Sequence, residues 1–352
     1  MLGAFAFAAL LLPLPAARAD DPAPDPAAVR SAVTKSLPLL QDGAESFRER
    51  SEGRCISCHH QGLILQTVAL ARGRGFAVVE KQARAEVERV HGFYARRRDL
   101  YERALTDPAA ARRADAYGNF TVHVGYWLWG LAAEGVAPDE VTAAAARLLA
   151  AKQSDDGHWD FEDAARAPVQ SSPFTTTALA AFVLQRYGPK EDAARGDRRL
   201  ARAKEWLLKS RPRTTDDKAF RLLGLHWLGA RAEERQRAAG QLVGEQRPDG
   251  GWAQQANMPS DAYATGLALV ALHQAGGVAA GDPAYQRGVA YLLKTQRKDG
   301  SWFVKTRAIP SNPYFESGFP HGKSQFISYA ATCWATMALT RAVERVRPRV
   351  AN

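Results

Sequence analysis

The segment Arg54–Gln61, RCISCHHQ, places two of the chain's three cysteines in a C-x-x-C spacing with histidine directly after them. In that arrangement each thiol can add to a haem vinyl group. The two intervening residues set both sulfurs at the porphyrin edge, and the following imidazole reaches the iron. Cys55 and Cys58 are then thioether anchors of a covalent haem c, with His59 as the iron ligand. The same residues also admit a Cys55–Cys58 disulfide or dithiol, or a metal site completed by His59 or His60. A second axial ligand has to come from elsewhere, and His321, His123 and Met258 are the candidates. His321 sits in the longest connector, Val304–Phe326, with Tyr314 and Glu316 as polar groups beside it. His321 or His123 is expected as distal ligand or proton donor, and His321 and Glu316 are candidate catalytic residues. Met258 lies in a connector like the one carrying the cysteines, and His123 stands near the start of an apolar helix.

Residues 1–19 form an apolar run ending Ala17-Arg18-Ala19, the pattern of a cleaved export signal. Residues 20–26, DDPAPDP, read as a Pro-rich spacer. Export to a periplasm or cell envelope is therefore expected, which agrees with haem attachment outside the cytoplasm. The net charge is +10, but acids interrupt the basic residues. Along Glu80–Arg113 Arg and Glu alternate as on a solvated helix face, and Arg96–Arg98 offer at most a peripheral contact with a membrane. No basic ribbon interleaved with aromatics points to nucleic acid.

The rest of the chain is repetitive. Leu149–Trp159, Leu242–Trp252 and Leu292–Trp302 each carry Gln six residues before Trp, with an Asp-Gly turn between. Each is followed by an apolar helix rich in small residues, Phe174–Leu184, Ala262–Leu272 and Tyr329–Leu339, which aligns Thr177, Thr265 and Thr332. Helices that are apolar all round are buried on both sides. Weaker copies, Gly62–Phe76, Val122–Leu131 and Lys218–Leu228, bring the inner helices to six. The outer helices fall near residues 27–40, 79–105, 138–152, 197–210, 232–245 and 284–296. The earliest unit, Leu37–Gly43, is a Gln-Asp-Gly turn without its Trp. Six pairs can close a ring, so residues 27–347 form one all-α (α/α)6 toroid, with the cysteines in the connector to the first inner helix.

The Q-x-x-D-G-x-W units and the Asp261-Ala262-Tyr263-Ala264-Thr265 helix start resemble the squalene cyclase and protein prenyltransferase β-subunit superfamily. That resemblance spans Asp25 to Arg347 and implies a toroid with a deep apolar central cavity able to hold an isoprenoid or other apolar molecule. Hopene-type cyclases protonate an alkene with an Asp in D-x-D-D-T-A. The nearest match is Thr214-Thr215-Asp216-Asp217-Lys218-Ala219, which lacks the first Asp and has Lys in place of Thr. Asp216 occupies the acid's slot; the plainer expectation is a helix N-cap by Thr215, Asp216 or Asp217. Prenyltransferase zinc needs Asp, Cys and His. Here Cys333 and His321 have no matching Asp, so Cys333 reads as a small buried hydrophobe. The thioester motif C-G-E-Q is replaced by Val243-Gly244-Glu245-Gln246. Three functions follow: a redox toroid with haem c and a redox partner protein, a haem-free isoprenoid cyclase-like enzyme, or a non-catalytic module that binds a lipid or a partner.

Overall fold

The computed structural model describes residues 23–51, 56–115, 120–160, 172–189, 193–308 and 314–343. The expected export signal and Cys55 lie outside the described residues, and of Cys58 only the backbone is described. Every long element is helical, and the β-structure among the described residues is two isolated bridges, Gln153 with Trp159 and Trp252 with Asp261.

Six helices form an inner ring: α2 (Leu63–Arg72), α6 (Phe120–Ala133), α8 (Pro173–Tyr187), α10 (Thr215–Trp227), α12 (Ala262–Ala275) and α14 (Gln325–Ala342). Each packs on the next, and α14 returns to α2, so the ring closes. Outside them lie α1 (Pro26–Arg50), α3 (Glu80–Ala95), α7 (Glu140–Ala151), α9 (Ala193–Lys209), α11 (Ala232–Val243) and α13 (Pro283–Thr295). The expected (α/α)6 toroid is what the chain forms. Two short helices, α4 (Arg98–Arg103) and α5 (Pro108–Ala114), are added between α3 and α6.

The repeat units are the joints. In each, the Trp indole N–H donates to the carbonyl of Leu149, Leu242 or Leu292 ten residues back, at 2.7–2.8 Å. The Trp backbone N–H donates to the aligned Thr177, Thr265 or Thr332 at 2.9–3.1 Å. The Gln amide donates twice, to the carbonyl of its own Asp-Gly turn and to the next outer helix. For Gln296 that next helix is α1, through the Ala32 carbonyl at 2.9 Å, which closes the outer layer.

Three expectations need correction. The Gln41-Asp42-Gly43 stretch is not a turn, because α1 runs unbroken from Pro26 to Arg50. Gln41 instead makes two bonds to the backbone of Val79 (3.0 and 2.9 Å), and Gly43 lies under the ring of Tyr329, where an added Cβ would come within 2.9 Å. The charged α3 is not solvated throughout: Glu86 is buried, and burial pushes its carboxyl up to about 7 despite Arg89 and Arg48 nearby. The axis of the ring is filled. Trp129 on α6 meets Trp334 on α14 at 6.1 Å, Phe220 on α10 meets Trp334 at 6.4 Å, and Tyr126 on α6 meets Phe220 at 6.0 Å. These helices are alternate members of the ring, so the contacts cross its centre and occupy the space where the resemblance implied a deep cavity.

Candidate functional site

The histidines after the cysteines fold as a π-turn, Cys58–Gly62, leading directly into α2. Such turns are rare and cluster at functional sites. Ser57 caps it: its Oγ accepts from the His60 amide at 3.0 Å. Gln61 fastens it, accepting from the Ser57 amide at 2.8 Å and donating to the Ala44 carbonyl at 3.0 Å. His60 is fully buried and stacked between Phe47, 4.2 Å away, and Tyr329, 3.9 Å away. Burial first, then the neighbouring His59, hold its pKa well below the usual imidazole value, so it is neutral at pH 7. Ser57 Oγ lies 3.3 Å from His60 Nδ1, while Nε2 is buried with no hydrogen-bond partner among the described residues.

His59 is half-buried, ringed by Phe47 and Phe326, each at 5.8 Å edge-on, and by His60. Phe315 extends this wall, 5.3 Å from Phe47 and 5.6 Å from Phe326. The start of α14 therefore reaches the histidine turn through Phe326, and the connector before it reaches the end of α1 through Phe315. His321 points elsewhere: its Nε2 is 2.8 Å from Ser301 Oγ on the third repeat turn, and its ring neighbours are Phe303 and Phe319. Its backbone is left-handed (φ 88°), a strained state for a non-glycine residue that the tight turn into α14 imposes. His123 stacks on Trp127, 5.1 Å away, facing α3. Met258 sits in the loop between Trp252 and Asp261, at α12, two ring positions from the histidine turn. Glu316 is exposed and accepts from Tyr314. The structure thus gathers none of the three axial candidates around His59. It gathers instead Phe47, Phe315, Phe326 and Tyr329, which no sequence spacing announced. The single legible clue was the His60-Gln61 pair that follows the motif.

A second cluster forms where α8, α10 and α12 begin. The cap of α10 is Thr214, in a reciprocal box with Asp217, rather than any of Thr215, Asp216 and Asp217. That leaves Asp216 turned inward, accepting from Thr175 at 2.8 Å and from Tyr263 at 2.9 Å. Burial pushes its carboxyl up to about 7; Asp217 adds to this, while the two hydroxyls and Arg307 oppose it. Tyr263 is held well above the usual phenol value, again by burial first, and so remains a donor. Around the rim Arg307 donates to Gln254 (2.8 Å), which donates to Asp261 (2.8 Å), the cap of α12. This arrangement can hold and release one proton near neutral pH. Of the side chains filling the axis, Phe220 shares α10 with Asp216, and Trp334 comes from α14. Cys333 is buried, and burial pushes its thiol up, the state of an inert core cysteine.

Comparison with known proteins agrees with this architecture. Residues 219–345 match the family described as squalene-hopene cyclase C-terminal domain, a match that begins just after Asp216. Drimenyl diphosphate synthase from Streptomyces showdoensis is 32% identical over 182 residues, covering 47% of this chain and 33% of that protein. Squalene–hopene cyclase from Bradyrhizobium diazoefficiens is 34% identical over 125 residues, covering 30% of this chain and 18% of the relative. The chain thus spans a third or less of these curated relatives. Among solved structures, a protein from Actinoplanes superposes with a TM-score of 0.56 at 16% identity, over 91% of this chain and all of that one. A type II terpene cyclase from Scytonema in complex with merosterolic acid A superposes with a TM-score of 0.50 at 13% identity, over 90% and 98% of the two chains. The protein is an α/α toroid whose fold resembles that of terpene cyclases, and its residues 219–345 are similar to the squalene-hopene cyclase C-terminal domain.

Proposed function

We propose that this chain is an exported toroid carrying one covalent haem c at its rim, and that its work is redox: electron transfer, or oxidation of an apolar molecule. One observation carries the reading. The C-x-x-C-H-H segment ends in a capped π-turn that presents His59 to a wall of Phe47, Phe315 and Phe326. The donor set and its surroundings fit the group, since two thiols at thioether spacing, an imidazole and an apolar aromatic wall are what a haem edge requires. When bound, the haem supplies one-electron chemistry. The chain's own residues supply the rest: Cys55 and Cys58 anchor, His59 ligates, Ser57 and Gln61 hold the turn, and His60 between two rings fixes its orientation. No second protein ligand is assigned. A redox partner protein, and any apolar substrate, would meet the molecule at this rim, because the axis is filled.

The test is to export the full chain in a host with cytochrome maturation machinery, then record intact mass and a pyridine haemochrome spectrum. One covalent haem, lost in Cys55→Ser and Cys58→Ser, is expected; a chain without covalent haem overturns the reading.

A second reading rests on Asp216, a buried carboxyl that titrates near neutrality in a fold whose relatives include named cyclases. In it, Asp216 protonates an isoprenoid alkene without haem. It requires the axis to open, and it is tested by cyclised product from squalene or farnesyl diphosphate that disappears in Asp216→Asn.

A further inference from the structure

A cleft of about 600 Å³ opens on the outside of the ring, between α3–α5 and the outward face of α6. This is within the range of small-molecule sites, roughly 300–1,000 Å³. Its lining combines two features. Arg96, Arg97 and Arg113 contribute positive charge, and no acidic side chain lines the cleft among the described residues. Beneath them is an aromatic floor. The Arg97 guanidinium lies 3.6 Å over the ring of Phe93, Phe93 meets Trp127 at 5.1 Å, and His123 stacks on Trp127.

Trp127 is the independent sign of a ligand. It is 3% exposed and lines the cleft, yet its indole N–H is buried with no hydrogen-bond partner among the described residues. A buried donor left unmade costs about 1–3 kcal/mol, so such a group at the base of a cleft marks the place of an acceptor. We propose that this cleft binds a small anionic molecule with a flat apolar body, its charged group against the arginines and an acceptor atom on the Trp127 N–H. Stacked rings and a planar guanidinium favour a planar partner over a branched one, and Arg favours carboxylate, sulfonate or phosphate through paired N–H bonds. The cleft faces α3 and α6, whereas the rings around His59 come from α1, the last connector and α14. Its occupancy therefore stands or falls apart from the haem reading.

Isothermal titration of the full chain with 8-anilinonaphthalene-1-sulfonate tests it, beside the uncharged parent N-phenyl-1-naphthylamine. Saturable one-to-one binding of the sulfonate is expected. Replacing both arginines in Arg97→Gln/Arg113→Gln weakens it by about tenfold or more, the worth of a charge-assisted bond, and leaves the uncharged parent unaffected. Trp127→Phe, which keeps an aromatic ring and loses only the donor, weakens the sulfonate by about fivefold. Circular dichroism and melting of each variant separate this loss from misfolding. Absent saturable binding, equal affinity for the parent, or indifference to both substitutions overturns the proposal. So does sedimentation with phosphatidylglycerol vesicles that persists in Trp127→Phe while the sulfonate fails to bind, because the arginines then serve a membrane surface.

Discussion

At the scale of single residues, burial gives the fold two carboxyls that hold their protons into the neutral range. Asp216 and Glu86 both have carboxyls pushed up to about 7 by burial. Their unfolded values lie near 4, so between about pH 4 and pH 7 the folded chain holds protons that the unfolded chain has released. Stability therefore falls as pH rises through that window and levels off above the folded value. Asp216→Asn removes one such charge, keeps an acceptor for Thr175 or Tyr263, and is expected to raise the melting temperature at pH 8 but not at pH 4. The gain at high pH is on the order of 2–4 kcal/mol, from about 1.4 kcal/mol for each pH unit separating the folded and unfolded values, less the strain of refitting the amide. Melting curves at the two pH values check it. A variant equally destabilised at both would mean that the carboxylate form is what the fold needs.

The element that carries the architecture is the Gln-to-Trp joint. Gly250 sits at φ 85°, and an added Cβ would come within 2.5 Å of the Arg287 carbonyl on α13, so the turn docks backbone to backbone. Gly250→Ala is expected to cost about 2 kcal/mol or more, combining left-handed strain with the clash. Gln246→Ala removes two donated bonds, to the Gly250 and Ala284 carbonyls, and should cost about 1–3 kcal/mol. Both are read from chemical denaturation. Equal stability of either variant with the parent would show that the joints decorate the ring rather than hold it.

The whole molecule depends on closure and on a filled axis. Closure rests on α13 and α14 meeting α1: Gln296 to the Ala32 carbonyl, Tyr329 to the Leu40 carbonyl at 2.9 Å, and Ser36 to Thr336 at 2.8 Å. Gln296→Ala should therefore raise hydrogen exchange in α1, at the opposite end of the sequence, whereas Gln246→Ala should leave α1 protected. Indifference of α1 exchange to Gln296→Ala would mean that closure rests on the inner helices alone. On the axis, Trp334→Ala deletes a fully buried indole that meets α6 and α10, the alternate inner helices, across the ring. It is expected to cost about 3–5 kcal/mol and to open a void that apolar probes enter. Denaturation and xenon or benzene binding measure the two effects.

What the chain's own sequence determined was periodic. The Gln, Asp-Gly and Trp spacing, the Thr that follows, and the all-apolar inner helices identified six hairpins and a closed ring, because those features are local and repeat. The stretch at Gln41 misleads because the same three letters serve a turn or a helix interior. Only the neighbours Val79 and Tyr329 decide which. The chemistry of the rim was half legible. The Cys-x-x-Cys-His spacing could be read directly, since the motif on which the proposed haem site rests is written within five residues. The second-ligand candidates could not be sorted, since His321, His123 and Met258 differ only in where helices that meet far along the chain aim them. Asp216 shows the same limit. Its type and slot were in the sequence, but its burial, its two hydroxyl donors and the filled axis beside it come from four inner helices packing together. Local spacing specifies which elements form; the direction of each side chain is settled by packing between elements remote in sequence.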